Sequence, residues 1–149
     1  MPSKKELKNI SLVRIKSAET LLKNNDWDGS AQMMGLALEC ALKAAICKTL
    51  RIQNYPESHK DKKVPEFFMT HGFDRLVLLA GMTDIFTATG DPAAFANWSA
   101  FTVQYPGEWT SMRYDPNKKF NQVITKNLFK SLMADPNSII KIISRRKRW

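Results

Sequence analysis

The chain has 149 residues and a mass of 17.0 kDa; 44% of its residues are hydrophobic, 25% are charged, and the formal net charge is +9. That composition fits one globular domain over residues 1–149, long enough to bury a core without staples, and argues against disorder. No stretch reaches the roughly 18 apolar residues of a membrane span, and the opening MPSKKELKN lacks the apolar run of a secretory signal, so a cytoplasmic, membrane-independent protein is expected.

Lys4 to Asn24 reads as an amphipathic helix with Leu7, Ile10, Val13, Ala18, Leu21 and Leu22 on one stripe. Arg14 falls inside that stripe, so its guanidinium must reach the edge or meet a carboxylate. Glu39 on the next helix is the expected partner. The break at 24–29, with Asp26 or Asp28 as N-cap, is short enough to make the first two helices an antiparallel hairpin. Ala31 to Leu50 is the most apolar run and reads as a central buried helix, with Gln32, Glu39 and Lys43 forming one polar seam. Glu39 and Lys43 stand at i and i+4, where a buried pair needs further counter-charges; Arg14 or Arg113 could supply them. Cys40 and Cys47 would lie about 10 Å apart on that helix, too far for a disulfide. With no second thiol or histidine at metal spacing, they read as small buried apolar groups, and no metal or cofactor is expected.

Residues 51–63 read as a polar surface loop with a solvated His59, followed by a short helix from Pro65 through Phe68. Thr70 is the expected cap of a helix over Arg75 to Leu79 that stops at Gly81, with Asp74 as a first-turn acid. Residues 83–90 are compatible with one more short helical piece. Asp91-Pro92 should start a helix over Ala93 to Val103 with Phe95, Trp98 and Phe101 at core spacing. Residues 105–109 form a turn and Thr110 to Pro116 an irregular segment. Eight of the fifteen aromatics lie between Phe86 and Phe120, so this region should pack down. Lys118 to Ala134 is amphipathic through Phe120, Val123, Ile124, Asn127, Leu128, Ser131 and Leu132. Asp135-Pro136 should cap a last helix carrying Ile139, Ile140, Ile142 and Ile143 and ending in a basic tail, so that 136–149 is a basic C-terminal helix and tail. Alternating strand patterns are missing, and the expected fold is an all-α bundle.

Five cations, Lys141, Arg145, Arg146, Lys147 and Arg148, fall in the last thirteen residues, where there is no acid. Such a tail favours polyanions, nucleic acid first, with Arg145, Arg146, Lys147 and Arg148 as contacts; the alternative is a solvated tail that only aids solubility. No Gly-rich phosphate loop, serine-nucleophile elbow or zinc-type cluster is present in the sequence. The candidate catalytic residues are therefore His71, Arg113 and Glu39, because RNA cleavage needs a proton carrier near neutrality and a cation for phosphate. His71 could instead bond nearby backbone or Asp74, and Arg113 could bridge Asp115 or an acid of the second helix. Arg113, Tyr114, Trp109, Lys43 and Arg14 are candidate ligand-binding residues, with Trp109 and Tyr114 able to stack bases.

Four separated segments, AETLLKNNDWDGSAQM, GLALECALKAAI, HGFDRLVLLAG and EWTSMRYDP, together resemble the HEPN domain family over roughly residues 5–135, most specifically in ALECALKA and HGFDRL. The resemblance implies a bundle of about five helices and frequent homodimerisation. It also implies a superfamily containing metal-independent ribonucleases of toxin–antitoxin and phage-defence systems and noncatalytic partners of nucleotidyltransferases. The catalytic branch carries an Arg, four to six residues and a His. Here no histidine follows Arg113 through Phe120, and neither His59 nor His71 stands at that distance after an arginine. The expectation is a noncatalytic or degenerate member that dimerises and binds nucleic acid, RNA included, or a nucleotide, in a bacterial or phage-conflict system. A ribonuclease with a rearranged site and a module that only partners a nucleotidyltransferase are the alternatives.

Overall fold

The computed structural model describes residues 2–57, 65–115, 117 and 119–149. His59 and the lysines beside it lie outside the described residues. Among the described residues there are six α-helices: α1 Lys4–Lys23, α2 Trp27–Leu50, α3 Phe73–Leu79, α4 Pro92–Thr102, α5 Gln122–Phe129 and α6 Ile139–Lys147. Short 3₁₀ turns cover Glu66–Phe68 and Trp109–Tyr114, and a π-helical turn, Lys130–Ala134, continues α5. Among the described residues there is no strand, only one isolated bridge between Ser3 and Asn54.

The hairpin of α1 and α2 frames the molecule. Ser3 and Glu6 close a capping box at the start of α1, and Asp26 accepts from the Gly29 N–H to start α2. The buried face of α1 is Leu7, Ser11, Ile15 and Ala18, whereas the expected stripe members Ile10 and Val13 are 37% and 54% exposed. Small residues decide this: Ser11 Oγ donates to the Ala37 carbonyl at 2.8 Å and Ser30 Oγ to that of Ala18 at 2.7 Å, so the two backbones close against Ala31, Ala37, Ala41, Ala44 and Ala45. A face of large aliphatic side chains alone, with nothing small in place of Ser11 and Ala18, would hold the helices further apart.

Around α2 the other elements pack their apolar sides. After Arg51, which ends α2 in a left-handed conformation, the chain returns to the start of α1: the Lys4 N–H bonds Gln53 and the Tyr55 N–H bonds Pro2, both at 2.9 Å. The expected surface loop is thus partly structural, because Tyr55 is fully buried and its hydroxyl donates to the Phe68 carbonyl at 2.9 Å. Gly72, rather than Thr70, occupies the N-cap position of α3, and residues 83–90 form turns without a helix. Asp91 caps α4 as expected. Phe101 enters the core fully, Phe95 and Trp98 only in part. The segment read as irregular is a 3₁₀ turn, and α5 begins at Gln122 under an Asn121 cap. Val123 and Asn127 face solvent while Thr125 is buried. Asp135 does not cap the last helix. It accepts from the Asn137 N–H in a tight turn, Ser138 takes the N-cap position, and Ile139, Ile140, Ile142 and Ile143 are all buried.

Gly35 fixes where the Trp109 loop can sit. A Cβ there would lie 2.8 Å from the Trp109 ring, so only glycine lets the indole lie flat on α2. Gly35→Ala is expected to cost about 1–3 kcal/mol in chemical denaturation and to alter tryptophan emission, as overpacking of a rigid ring requires. Burial pushes the Cys40 thiol up to about 12, with Glu39 adding to it, and Cys47 is also raised by burial. Both thiols should stay unreactive toward a disulfide reagent at pH 8 until the protein unfolds.

Candidate functional site

A buried carboxylate forms the centre of the site. Glu39 Oε1 accepts from Lys43 Nζ at 2.8 Å and lies 2.9 Å from His71 Nδ1, while Oε2 accepts from Trp109 Nε1 at 2.8 Å. Lys43 has a second partner in Glu57 and lies 4.9 Å from the centroid of the Tyr55 ring. Burial opposes ionisation of Glu39, but Lys43 and then His71 outweigh it and hold the carboxyl below its ordinary range. Burial likewise opposes charge on Lys43, and Glu39 and Glu57 override it, raising that amine. An ionised carboxylate can only accept, so the His71 nitrogen facing it carries the proton and Nε2 is left as the free position of the neutral ring. The imidazole is 49% exposed.

Two consecutive residues position this histidine. Glu108 accepts from the His71 N–H at 2.7 Å and from Thr70 Oγ1 at 3.1 Å, which fixes the backbone, and Trp109 takes the other oxygen of the carboxylate that the ring faces. Thr70 Oγ1 also accepts from the Gly72 N–H at 3.0 Å, turning the chain into α3. Trp109 is 4% exposed and stacks on Phe73 with ring centroids 6.4 Å apart and planes 7° apart. Beneath them Phe101 and Tyr105 stack at 4.7 Å, and the Tyr105 hydroxyl donates to the Ala31 carbonyl at 2.8 Å. The aromatic column therefore ties the 109 loop to the first turn of α3 and to α2 at once.

Glu39 and His71 separate two hollows. One, of about 330 Å³, is closed by Lys43, Glu57, Phe68, Met69 and Thr70. The other, of about 200 Å³, is closed by Gln32, Met33, Leu36, Trp109, Thr110 and Arg113. His71 and Arg113, far apart in sequence, thus line the same hollow. The Arg113 guanidinium lies 5.9 Å from the Trp109 ring centroid, its Nε donates to the Thr110 carbonyl at 3.4 Å, and it makes no ion pair among the described residues.

Several sequence expectations need correction here. Arg14 and Arg113 are not the counter-charges of Glu39; Lys43, His71 and Trp109 are its partners. Arg14 is half-buried, and its Nε has no partner among the described residues. Trp109 is buried and unable to stack a base, whereas Tyr114 is 84% exposed and can. His71 bonds Glu39 rather than Asp74, and Asp115 pairs with Lys119 at 3.1 Å rather than with Arg113. In the basic tail, Lys147 Nζ donates to Thr49 Oγ1 at 2.7 Å and to the Ala80 carbonyl at 2.8 Å, and partial burial lowers its pKa. Arg145 donates to the Pro136 and Lys141 carbonyls. These two fasten α6, while Arg146 and Arg148 stay exposed. Glu57 and Glu108 escaped sequence reasoning because an acid on a loop carries no periodic signal. For Trp109 the signal was its donor-only indole beside an unassigned buried carboxylate.

Compared with protein-family models, curated proteins and solved structures, the chain matches none.

Glu39→Gln is expected to cost about 3 kcal/mol at pH 7, because it leaves the Lys43 and His71 side without its carboxylate. The folded Glu39 carboxyl titrates below its ordinary 4.5, so its stabilisation is complete above that value and disappears as pH falls through the lower folded value. The raised Lys43 contributes fully below its ordinary 10.5 and is lost as pH rises through the higher folded value. Urea melts across pH 2–8 should show the gap between wild type and Glu39→Gln closing only below about pH 4.5.

Proposed function

We propose that this is a HEPN-like helical protein whose Glu39–His71–Arg113 hollow binds the phosphate of a single-stranded RNA or nucleotide. The observation that carries the reading is the convergence of His71 and Arg113 on one hollow, with a buried carboxylate orienting the histidine. A guanidinium outside any described ion pair, beside a half-exposed imidazole, offers two donors to an anionic oxygen once the imidazole is protonated. The exposed Tyr114, next to Arg113 in the chain, offers a face for a base. The resemblance of ALECALKA and HGFDRL to HEPN domains supports the same class of ligand. The setting that goes with it is a bacterial or phage-conflict system, as a homodimer or beside a nucleotidyltransferase.

The Glu39–His71 pair favours cleavage as a second reading. With Nδ1 held by Glu39, Nε2 is available to take a proton from a 2′-hydroxyl, whose oxygen bonds the adjacent phosphorus as the P–O5′ bond breaks; the departing 5′-oxygen takes the proton back from Nε2, and Arg113 balances charge on the phosphate. Here His71 would replace the missing histidine after Arg113.

Fluorescence anisotropy with labelled single-stranded RNA tests the binding. Micromolar or tighter affinity that falls with salt, weakened about tenfold or more by Arg113→Ala, is expected. No binding at micromolar protein, salt-indifferent binding, or an unaltered Arg113→Ala variant would remove the reading. Incubation with tRNA decides the second: cleavage abolished in His71→Ala and Arg113→Ala supports it, and undetectable or equal cleavage by all three proteins ends it.

A further inference from the structure

We propose that the open end of the α1–α2 hairpin is a second docking surface, one that grips the phosphate backbone of an RNA strand whose bound nucleotide occupies the His71–Arg113 hollow. The proposal rests on the reading that the ligand is RNA. It follows from a different part of the molecule.

A hollow of about 640 Å³ lies between the first turn of α1 and the last turn of α2. Lys4, Lys5, Lys48 and Arg51 line it, and no acid does among the described residues. None of the four is in an ion pair among the described residues. The one acid in that turn of α1, Glu6, is committed to the Ser3 backbone N–H at 2.7 Å. The hollow does not depend on a loose segment, because the Lys4–Gln53 and Tyr55–Pro2 backbone bonds lock its rim.

The C-terminal helix brings further charge to this end. Lys147 pins the end of α6 to Thr49 on the last turn of α2, and Lys8 Nζ sits 5.1 Å from the centroid of the Trp149 ring. Arg148, exposed between them in sequence, is thereby held beside the end of the hairpin rather than on a free tail. The basicity of the chain thus has a place: it converges from three helix ends that are far apart in sequence. Cations gathered without acids repel one another and lower stability, a cost that a polyanion removes when it binds and releases its counterions.

α2 sets the distance between this surface and the hollow around His71. Glu39, at the near edge of the His71–Arg113 hollow, and Cys47, at the near edge of the basic one, are eight residues apart on α2, so about 12 Å of helix axis separates the nearest edges of the two. A short stretch of one strand can occupy both. The backbone grip is indifferent to sequence, and any base preference belongs to the Arg113 side.

The test uses the full chain carrying Lys5→Ala, Lys48→Ala and Arg51→Asn, the last chosen because asparagine tolerates the left-handed conformation of residue 51 (φ 56°). Unchanged circular dichroism and thermal midpoint would show that the triple variant folds. Its affinity for a labelled single-stranded RNA should fall at least about tenfold, and the slope of log K against log salt should shrink by about 2, as expected for three lost phosphate contacts. Binding of AMP, which reaches only the His71–Arg113 hollow, should be unchanged by the triple variant and weakened by Arg113→Ala. A triple variant that matches wild type in affinity and slope overturns the docking surface and leaves the hollow standing. The reverse pattern, loss in the triple variant and none in Arg113→Ala, overturns the hollow and keeps the surface. Wild type that binds phosphatidylserine vesicles but not RNA overturns both.

Discussion

The Glu39 carboxylate is the constraint on which the rest of the structure depends. Placed on α2, the central helix and mostly buried, it must recover by direct bonds the hydration it loses, a cost of several kcal/mol when a charge is buried. Three donors from three segments do so: Lys43 on α2, His71 before α3 and Trp109 in the 3₁₀ turn. Without them the 70–72 and 108–109 connections would lose their shared anchor on α2. Glu108 and the Phe73–Trp109 stack complete the clamp, and Gly35 gives it room.

Much of this was legible in the sequence, and the failures have physical causes. Helical periodicity gave the all-α class and the hairpin, and the i, i+4 spacing of Glu39 and Lys43 placed them on one seam. The charge of Glu39 calls for partners, and the arginines are the visible candidates because formal charge is what a sequence displays. The partners it finds are Lys43, one turn on, and two ring nitrogens, those of the Trp109 indole and the His71 imidazole. α1 misled for a related reason: counting Ile10 and Val13 as core ignores that close helix pairing prefers small side chains such as Ser11 and Ala18. The polar run after α2 hid Tyr55, a single residue whose burial depends on the distant Phe68 carbonyl. Periodicity reports faces of regular elements and carries no information about single anchors on loops.

The electrostatics divide the molecule into two regions of different character. Around His71 the charges are nearly balanced, buried and fixed, which suits orientation of one imidazole. At the hairpin end they are unbalanced, exposed and of one sign, which suits attraction at range and loses strength with salt. The basic C-terminal segment belongs to both descriptions, since Lys147 and Arg145 fasten α6 while Arg146 and Arg148 remain free to face a ligand. One central helix, α2, carries the polar seam of the first region and the edge of the second, and so relates them rigidly.

The central claim is that Glu39 fixes the ring state of His71, leaving Nε2 as the open position of the hollow. Long-range ¹H–¹⁵N correlation spectra of the imidazole, recorded above pH 8 in a His59→Gln background to leave one signal set, test it directly. The account predicts the Nδ1–H tautomer in this protein and its loss in Glu39→Gln. An Nε2–H tautomer, or a ring that averages between tautomers with Glu39 intact, would contradict it.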